Sequence, residues 1–147
     1  MSEITKQRLK NYVYVRREVE NQLERLARMK NEEQIPAIRP GDGSKKTKGT
    51  GDRLERAIIR RLEYEEQVLP QIEAAQEEME TVRAAIDALE DPLEREVLRL
   101  RYIDGEYCRM MPWREVATII YGSDDEKYIQ AIFRLHGRAL ERITGRA

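Results

Sequence analysis

Few of the residue types that build disulfides, metal sites and catalytic centres occur in this chain. Its 147 residues include one cysteine and one histidine, so an internal disulfide is excluded and no Cys/His zinc site is expected. The G-x-x-x-x-G-K-S/T motif of a phosphate-binding loop does not occur in the sequence. No motif places a nucleophile beside His136, which favours a hydrogen-bonded core histidine over a catalytic one. We expect no enzymatic activity, no metal and no cofactor.

Long apolar runs are also absent from the sequence. No stretch of about 18 consecutive apolar residues is available to span a bilayer, and residues 1–30 lack the apolar run of a signal peptide. The chain has one tryptophan and one phenylalanine, and 37% of its residues are charged, which is typical of a helical protein with a small core. We therefore expect a cytoplasmic all-α protein that does not enter the membrane.

Acidic and basic residues nearly cancel, at 28 against 27, so the net charge gives no argument for a polyanionic partner. Their distribution is uneven. Residues 39–61 contain eight Lys or Arg and three acidic residues, whereas residues 62–96 contain twelve acidic residues and two Arg. Either the two segments face each other in the fold, or the basic one binds a polyanion.

The first helix is predicted from Thr5 to about Glu33, because apolar residues recur there at steps of three and four. Two prolines then end it, and a basic, glycine-rich loop is predicted at about residues 36–52. The lysines of this loop either contact phosphates or are only solvated. They are Lys45, Lys46 and Lys48.

A second, longer helix is predicted from Asp52 to Leu89, with heptad spacing of its apolar residues from Ile72 onward and a kink or a break at Pro70. Since a glycine-rich loop joins two apolar seams, the simplest arrangement of residues 1–89 is an antiparallel, coiled-coil-like helical hairpin. Part of the longer helix stays uncovered in this hairpin. We therefore expect a monomer, or a homodimer that forms through the hairpin.

Residues 90–147 begin with two shorter helices. Asp91 and Pro92 supply an N-cap and a first-turn proline for a helix that ends near Ile103. This helix is expected to bury Leu93, Val97, Leu98 and either Leu100 or Tyr102. A short helix follows from Trp113 to Tyr121, and its inward residues are Trp113, Val116, Ala117 and Ile120.

The last helix is predicted to begin near Asp124, because Ser123 and Glu126 match the S-x-x-E capping box. At about 100° per residue, one sector of this helix is apolar and comprises Ile129, Ile132, Phe133, His136, Ala139, Leu140 and Ile143. The opposite sector carries Lys127, Gln130, Ala131, Arg134, Arg138 and Arg142. A short helix, a tight turn and a longer helix with a basic outer face follow the order of a helix-turn-helix DNA-binding unit.

Three stretches of this part resemble region 4 of sigma factors. They are LEDPLEREVLRLRYIDG at 89–105, the W-x-E-V-A pattern that starts at Trp113, and FRLHGRALERI at 133–143. They are still more similar to the sigma-region-4-like regulators of bacteriophages of Gram-positive bacteria, the late-gene activators of the RinA and ArpU type and their relatives. The resemblance implies a helix-turn-helix domain at residues 90–147, double-stranded promoter DNA as partner, contact with RNA polymerase, and a place in the cytoplasm of a bacterial host.

The chain departs from the pattern of this family at two places. Pro112 stands where family members have a Ser or Thr as N-cap, and the segment from Tyr121 to Asp125 is about five residues longer than the family's turn. Matching the family backward from residues 138–140 places the base-facing segment on residues 128–134. Together with backbone contacts from neighbouring turns, the implied DNA-binding residues are Lys127, Tyr128, Gln130, Ala131, Arg134, Arg138 and Arg142.

Two other functions fit the same sequence. A structural or packaging adaptor of the small-terminase type would assemble a ring through the hairpin and only tether DNA. A protein that binds RNA polymerase and no DNA is suggested by Asp124, Asp125 and Glu126, whose carboxylates repel phosphate. The oligomeric state separates these functions, since a ring supports the adaptor and a monomer or dimer supports the regulator.

Overall fold

The computed structural model describes residues 3–34 and 48–145. These residues form five α-helices and contain no β-strand, so the predicted all-α class is confirmed. The helices are α1, Lys6–Gln34; α2, Lys48–Asp87; α3, Pro92–Leu98; α4, Trp113–Tyr121; and α5, Glu126–Ile143. A π-helical turn, Arg99–Ile103, extends α3, and a 3₁₀ turn, Glu106–Cys108, precedes α4.

Most of the predicted basic loop lies outside this description. Lys45 and Lys46 are not among the described residues, and of Lys48 only the backbone is described, at the first position of α2. The prediction that the loop continues to about residue 52 is wrong, since α2 begins at Lys48. Each glycine lowers helix stability by only about 1 kcal/mol, and the long run of helix-forming residues that follows outweighs this cost.

Of the kink or break predicted at Pro70, the break is absent, because α2 continues through this residue as one helix. Pro70 is exposed, so the carbonyl group that its missing N–H leaves without a helical partner is accessible to water. Val68 and Ile72 on either side of it remain buried. The buried face of α2 is therefore retained across the proline.

Contacts divide the chain into two compact units, one of Met1–Arg17 with Ala75–Ala147 and one of Glu18–Ala74. This division differs from the predicted boundary between residues 89 and 90. The reason is a core cluster that combines the first part of α1 and the last part of α2 with the C-terminal helices. It contains Ile4, Leu9, Tyr12, Val82, Ile86, Leu89, Leu98, Tyr102 and Ala139.

In the unit Glu18–Ala74, α1 and α2 pack side by side in opposite directions. Arg61 on α2 pairs with Glu33 near the end of α1, with 2.6 Å between Nε and Oε1. Gln71, further along α2, accepts a hydrogen bond of 3.0 Å from Gln22, earlier in α1. The buried apolar residues of the unit are Val19, Leu26, Val68 and Ile72.

The start of α3 confirms the predicted cap. Asp91 Oδ1 accepts hydrogen bonds from the backbone N–H groups of Leu93 at 2.8 Å and Glu94 at 3.4 Å, and Pro92 occupies the first helical position. The prediction that Leu93 is buried is wrong, since it is 46% exposed. Glu94 is fully buried instead. Together with Val97 and Leu98, it forms the buried face of α3.

The π-helical turn allows both Leu100 and Tyr102 to be buried. Within it, the N–H of Asp104 donates to the carbonyl of Arg99, five residues earlier, at 2.9 Å. A turn of this width redirects the side chains that follow it. Leu100 lies in the core cluster beneath α4, whereas Tyr102 lies in the cluster with α1 and α2. The two predicted alternatives are therefore both realised, in different cores.

The segment between the π-helical turn and α4 is held at both ends. The N–H of Met111 donates to the carbonyl of Arg101 at 3.1 Å, and Nη1 of Arg101 donates to the carbonyl of Met111 at 2.6 Å. Between them, Tyr107 and Cys108 have φ angles of 57° and 54°, which is uncommon for residues other than glycine. The double contact places the start of α4 directly beside the π-helical turn.

α4 begins without a side-chain cap, as the proline at this position predicts. The carbonyl of Pro112 accepts hydrogen bonds from the N–H groups of Glu115 at 3.0 Å and Val116 at 3.1 Å. At the other end, Gly122 has a φ of 77° and its N–H donates to the carbonyl of Thr118 at 2.8 Å, a common helix C-cap. Residues 122–125 then connect α4 to α5. Four residues are a usual length in helix-turn-helix units, so the expected extension of this turn by about five residues is not seen.

The predicted capping box of α5 is wrong. Ser123 Oγ accepts a hydrogen bond from the N–H of Asp125 at 3.2 Å, and α5 begins at Glu126. The first helical hydrogen bonds are accepted by the carbonyl of Asp125, from Tyr128 at 2.9 Å and Ile129 at 3.1 Å. The left-handed turn that ends α4 draws Ser123 into a local side-chain turn, and its hydroxyl is then not available to cap the helix.

Replacing Gly105 with alanine should strongly destabilise the fold. A Cβ atom at this position would lie 1.8 Å from the carbonyl oxygen of Arg109, so the backbone would have to shift. We expect the free energy of unfolding in urea to fall by about 3 kcal/mol. Gly137→Ala in α5 is the control, because its Cβ would meet nothing within 4 Å and alanine stabilises a helix by about 1 kcal/mol. Similar losses in both variants would contradict this account.

Candidate nucleic-acid interface

One face of α5 is buried against α3 and α4. Its buried residues are Ile132, Leu135, His136 and Ala139. Ile132 is fully buried in a core cluster with Val97 of α3 and Val116 of α4. Burying side chains of this size contributes roughly 2 kcal/mol each. This packing determines which residues of α5 are left exposed.

The buried face differs from the predicted apolar sector at two positions. Leu135, outside that sector, is buried, and Phe133, inside it, is 41% exposed. The buried sector is centred between Leu135 and His136, which puts Phe133 about 110° away from its centre. Phe133 still contacts the ring of Trp113 edge-on, with 5.4 Å between the ring centroids. Ile129, Leu140 and Ile143 are partly buried.

His136 lies in the core, where its Nε2 is 2.7 Å from the hydroxyl of Tyr102. The ring of Trp113 meets its imidazole edge-on at 4.7 Å. Burial, together with the smaller effect of the positive charges of Lys6, Arg101 and Lys10, lowers the pKa of His136 to about 4. The imidazole is therefore neutral at pH 7. His136 is the hydrogen-bonded core histidine that the sequence predicts. Its contact with Tyr102 connects α5 to the π-helical turn.

The exposed face of α5 carries four of the predicted DNA-binding residues. Lys127, Arg134 and Arg138 lie within about 40° of one another around the helix, and all three are exposed. We call them the α5 cationic stripe. Gln130 is exposed beside it and donates a hydrogen bond of 2.8 Å to Glu126. Within the described residues, Arg134 and Arg138 form no ion pair, so their guanidinium groups are available to a ligand.

Two other predicted contact residues are half-buried. Tyr128 is half-buried and stacks on Tyr121, with 5.3 Å between the ring centroids. It also packs against the core beneath α4. Ala131 is half-buried as well. Neither side chain carries a charge.

The remaining predicted contact residue, Arg142, is engaged within the fold. Its Nη1 donates a hydrogen bond of 3.1 Å to Oε2 of Glu94, whose side chain is fully buried. The other carboxylate oxygen of Glu94 has no hydrogen-bond partner among the described residues. A buried carboxylate of this kind depends strongly on its one cation. The sequence gives no local signal of this pair, because its members are 48 residues apart.

The beginning of α5 carries negative charge. Asp124, Asp125 and Glu126 are all exposed, and none of their side chains caps the helix. Acidic groups at a helix N-terminus interact favourably with its dipole but repel phosphates. The interface is therefore polarised, with carboxylates before the first turn and cations from Lys127 onward.

The described residues contain no cluster of His, Cys, Asp or Glu that could hold a metal ion. Within the same residues, no helix combines the length and the apolar character needed to cross a membrane. Comparison of the chain with protein-family models, curated proteins and solved structures gives no match.

The low pKa of His136 should make stability fall at acidic pH. The folded-state pKa of about 4 lies below the ordinary value of 6.5, so between these pH values the unfolded chain takes up a proton that the folded chain does not. We expect up to roughly 3 kcal/mol of unfolding free energy to be lost as the pH is lowered through this window. Urea titrations of the wild type and His136→Gln measure it. Equal pH dependence in both proteins would show that His136 does not contribute.

Arg142→Ala should destabilise the protein, because it leaves the buried Glu94 carboxylate without its cation. We expect a loss of about 1 to 3 kcal/mol in the free energy of unfolding, since Arg142 itself is half exposed. Arg138→Ala is the matched control and should change stability by less than about 0.5 kcal/mol. Thermal and urea unfolding measure both. Equal free energies of unfolding in the two variants would show that the contact between Arg142 and Glu94 does not stabilise the fold.

Proposed function

We propose that this chain is a sequence-specific DNA-binding transcriptional regulator that inserts α5 into the major groove of promoter DNA. The observation that carries the proposal is the α5 cationic stripe, exposed on a helix whose opposite face is buried on α3 and α4. A glycine-capped connection of four residues, 122–125, precedes that helix. Short helix, tight turn and recognition helix make a helix-turn-helix unit.

The chemistry of the stripe suits duplex DNA. Arg134 can donate two parallel hydrogen bonds to O6 and N7 of guanine, and Gln130 can bond N6 and N7 of adenine. Lys127 and Arg138 lie one to two turns to either side of these positions and meet phosphates. On binding, the amide of Gln130 exchanges its hydrogen bond with Glu126 for hydrogen bonds to a base edge.

The resemblance to sigma region 4 and to phage late-gene regulators supports promoters as the DNA target and RNA polymerase as a further partner, in the cytoplasm of a bacterial host. On this proposal, α1 and α2 form the antiparallel helical hairpin of the family. The acidic start of α5 keeps the affinity of one domain modest. Dimerisation through the hairpin, or contact with polymerase, then supplies the additional binding energy.

Two observations favour other functions. Leu62 and Leu69 of α2 are 50% and 49% exposed, which favours a structural or packaging adaptor that assembles through this helix. Asp124, Asp125 and Glu126 favour a protein that binds polymerase without DNA. A ring of many subunits in light scattering would support the adaptor, and co-purification with polymerase without affinity for any duplex would support the third function.

Arg134→Ala should weaken specific binding by about 1 to 3 kcal/mol, because it removes a bidentate base contact. Its thermal midpoint should change little, since Arg134 is exposed and has no ion pair within the described residues. Arg134→Lys is the control, because it retains the charge and loses the paired donors. Fluorescence anisotropy on a duplex that the wild type binds measures both. Full affinity in the alanine variant would remove Arg134 from base recognition.

A further inference from the structure

The beginning of α1 is strongly basic. Residues 4–17 contain five Lys or Arg and no Asp or Glu, although acidic and basic residues nearly cancel over the whole chain. This segment belongs to the same compact unit as α5. Leu9 and Tyr12 share a core cluster with Ala139 of α5, so the two helices contribute to one core. A concentration of positive charge therefore lies in the same unit as the candidate DNA-reading helix.

Two of the five cations serve the fold. Arg8 forms a two-point ion pair with Glu78, with its Nε and Nη2 atoms 2.8 Å and 2.9 Å from the carboxylate oxygens. Arg16 donates a hydrogen bond of 3.0 Å to the carbonyl of Ile103. These contacts join α1 to α2 and to the π-helical turn within one unit. They account for Arg8 and Arg16 as structural residues.

The other three cations lie on one face of α1. Lys6, Lys10 and Arg17 fall within about 40° of one another around the helix. Lys6 and Arg17 are exposed and Lys10 is half-buried. Within the residues that the structure describes, none of the three forms an ion pair. We call them the α1 cationic stripe.

The α1 cationic stripe begins beside the C-terminal half of α5. Lys6 and Lys10 line an open cleft of about 480 Å³ together with Leu140, Glu141 and Thr144 of that region. Their positive charges also reach His136 and contribute to the lowering of its pKa. Two acidic residues, Glu3 and Glu141, line the same cleft, so two carboxylates there oppose the charges of the two lysines.

We infer that Lys6, Lys10 and Arg17 bind the sugar-phosphate backbone of the duplex whose major groove α5 enters. The inference rests on the proposed function. α5 has 18 residues and is about 27 Å long, whereas the major groove is about 12 Å wide. The C-terminal half of α5 therefore passes over the edge of the groove, where phosphates lie. Lysine is a point charge that binds phosphate without reading sequence.

Glu141 places a negative charge beside the two cationic stripes. It lies about 40° from Lys127 around α5 and within the sector that faces the DNA. Bound phosphates would be repelled by its carboxylate. Removing this charge should therefore strengthen binding, in contrast to the loss expected when the α1 stripe is neutralised.

The test is the salt dependence of DNA binding by the full chain. K6Q/K10Q should lower the slope of log affinity against log salt concentration by about 2, since each phosphate contact contributes about 0.9. It should weaken specific and nonspecific duplexes by the same factor, about tenfold or more in 0.1 M salt. E141Q should strengthen binding to both. The control R28Q/K30Q removes the same charge from a part of α1 that belongs to the other unit.

The outcomes separate this inference from the proposed function. Specific binding with an unchanged salt slope in K6Q/K10Q would overturn the inference and leave the proposed function standing. An equal decrease in K6Q/K10Q and R28Q/K30Q would also overturn it, because the effect would then come from net charge. If the wild type binds no duplex, the proposed function fails and the inference fails with it. Retained thermal stability of K6Q/K10Q shows that the variant is folded.

Discussion

The packing of one face of α5 on α3 and α4 determines which residues form the candidate nucleic-acid interface. Val97, Val116 and Ile132 are each fully buried, one from each of these helices. Because a helix repeats every 3.6 residues, burying this face leaves Lys127, Arg134 and Arg138 together on the opposite side. Rotating α5 by one residue would bury a cation or expose a core side chain.

Polar contacts inside this core determine how α5 is oriented. Apolar packing is non-directional, whereas the bond between His136 and Tyr102 and the pair of Arg142 with Glu94 each require one geometry. Buried polar groups cost free energy when they lose their partners. These two contacts therefore tie α5 to the π-helical turn and to α3 at different heights along the helix, and they keep the exposed stripe in register.

The α1 segment has a corresponding division of roles. Arg8 and Arg16 make contacts within the unit. The residues that remain for a ligand are those of the α1 cationic stripe, Lys6, Lys10 and Arg17. A chain with nearly balanced charge can in this way present two cationic stripes on one unit.

Local signals in the sequence predicted much of this structure. Asp91 and Pro92 start α3 because both the cap and the proline act within one turn, and α4 has the predicted bounds. Long-range contacts were not predictable. Glu94 is buried and accepts a hydrogen bond from Arg142, 48 residues away in the sequence. The start of α1 joins the C-terminal core through Leu9 and Tyr12.

The sequence predicted the exposed residues of the candidate site better than the contacts at the start of α5. Helical periodicity alone identifies Lys127, Gln130, Arg134 and Arg138 as exposed. It does not show that Tyr128 stacks on Tyr121. Nor does it show that the Ser123 hydroxyl is used within its own turn, because turn geometry depends on the left-handed conformation of the preceding glycine.

The central claim is that the exposed face of α5 reads DNA sequence. The most direct measurement is a selection of bound duplexes from a random pool, at two salt concentrations, by the wild type and by a variant with Lys127, Arg134 and Arg138 all replaced by glutamine. Base readout persists better than phosphate binding at high salt. We predict that the wild type enriches one motif at both concentrations and that the triple variant enriches none. Enrichment of the same motif by both proteins would contradict the account.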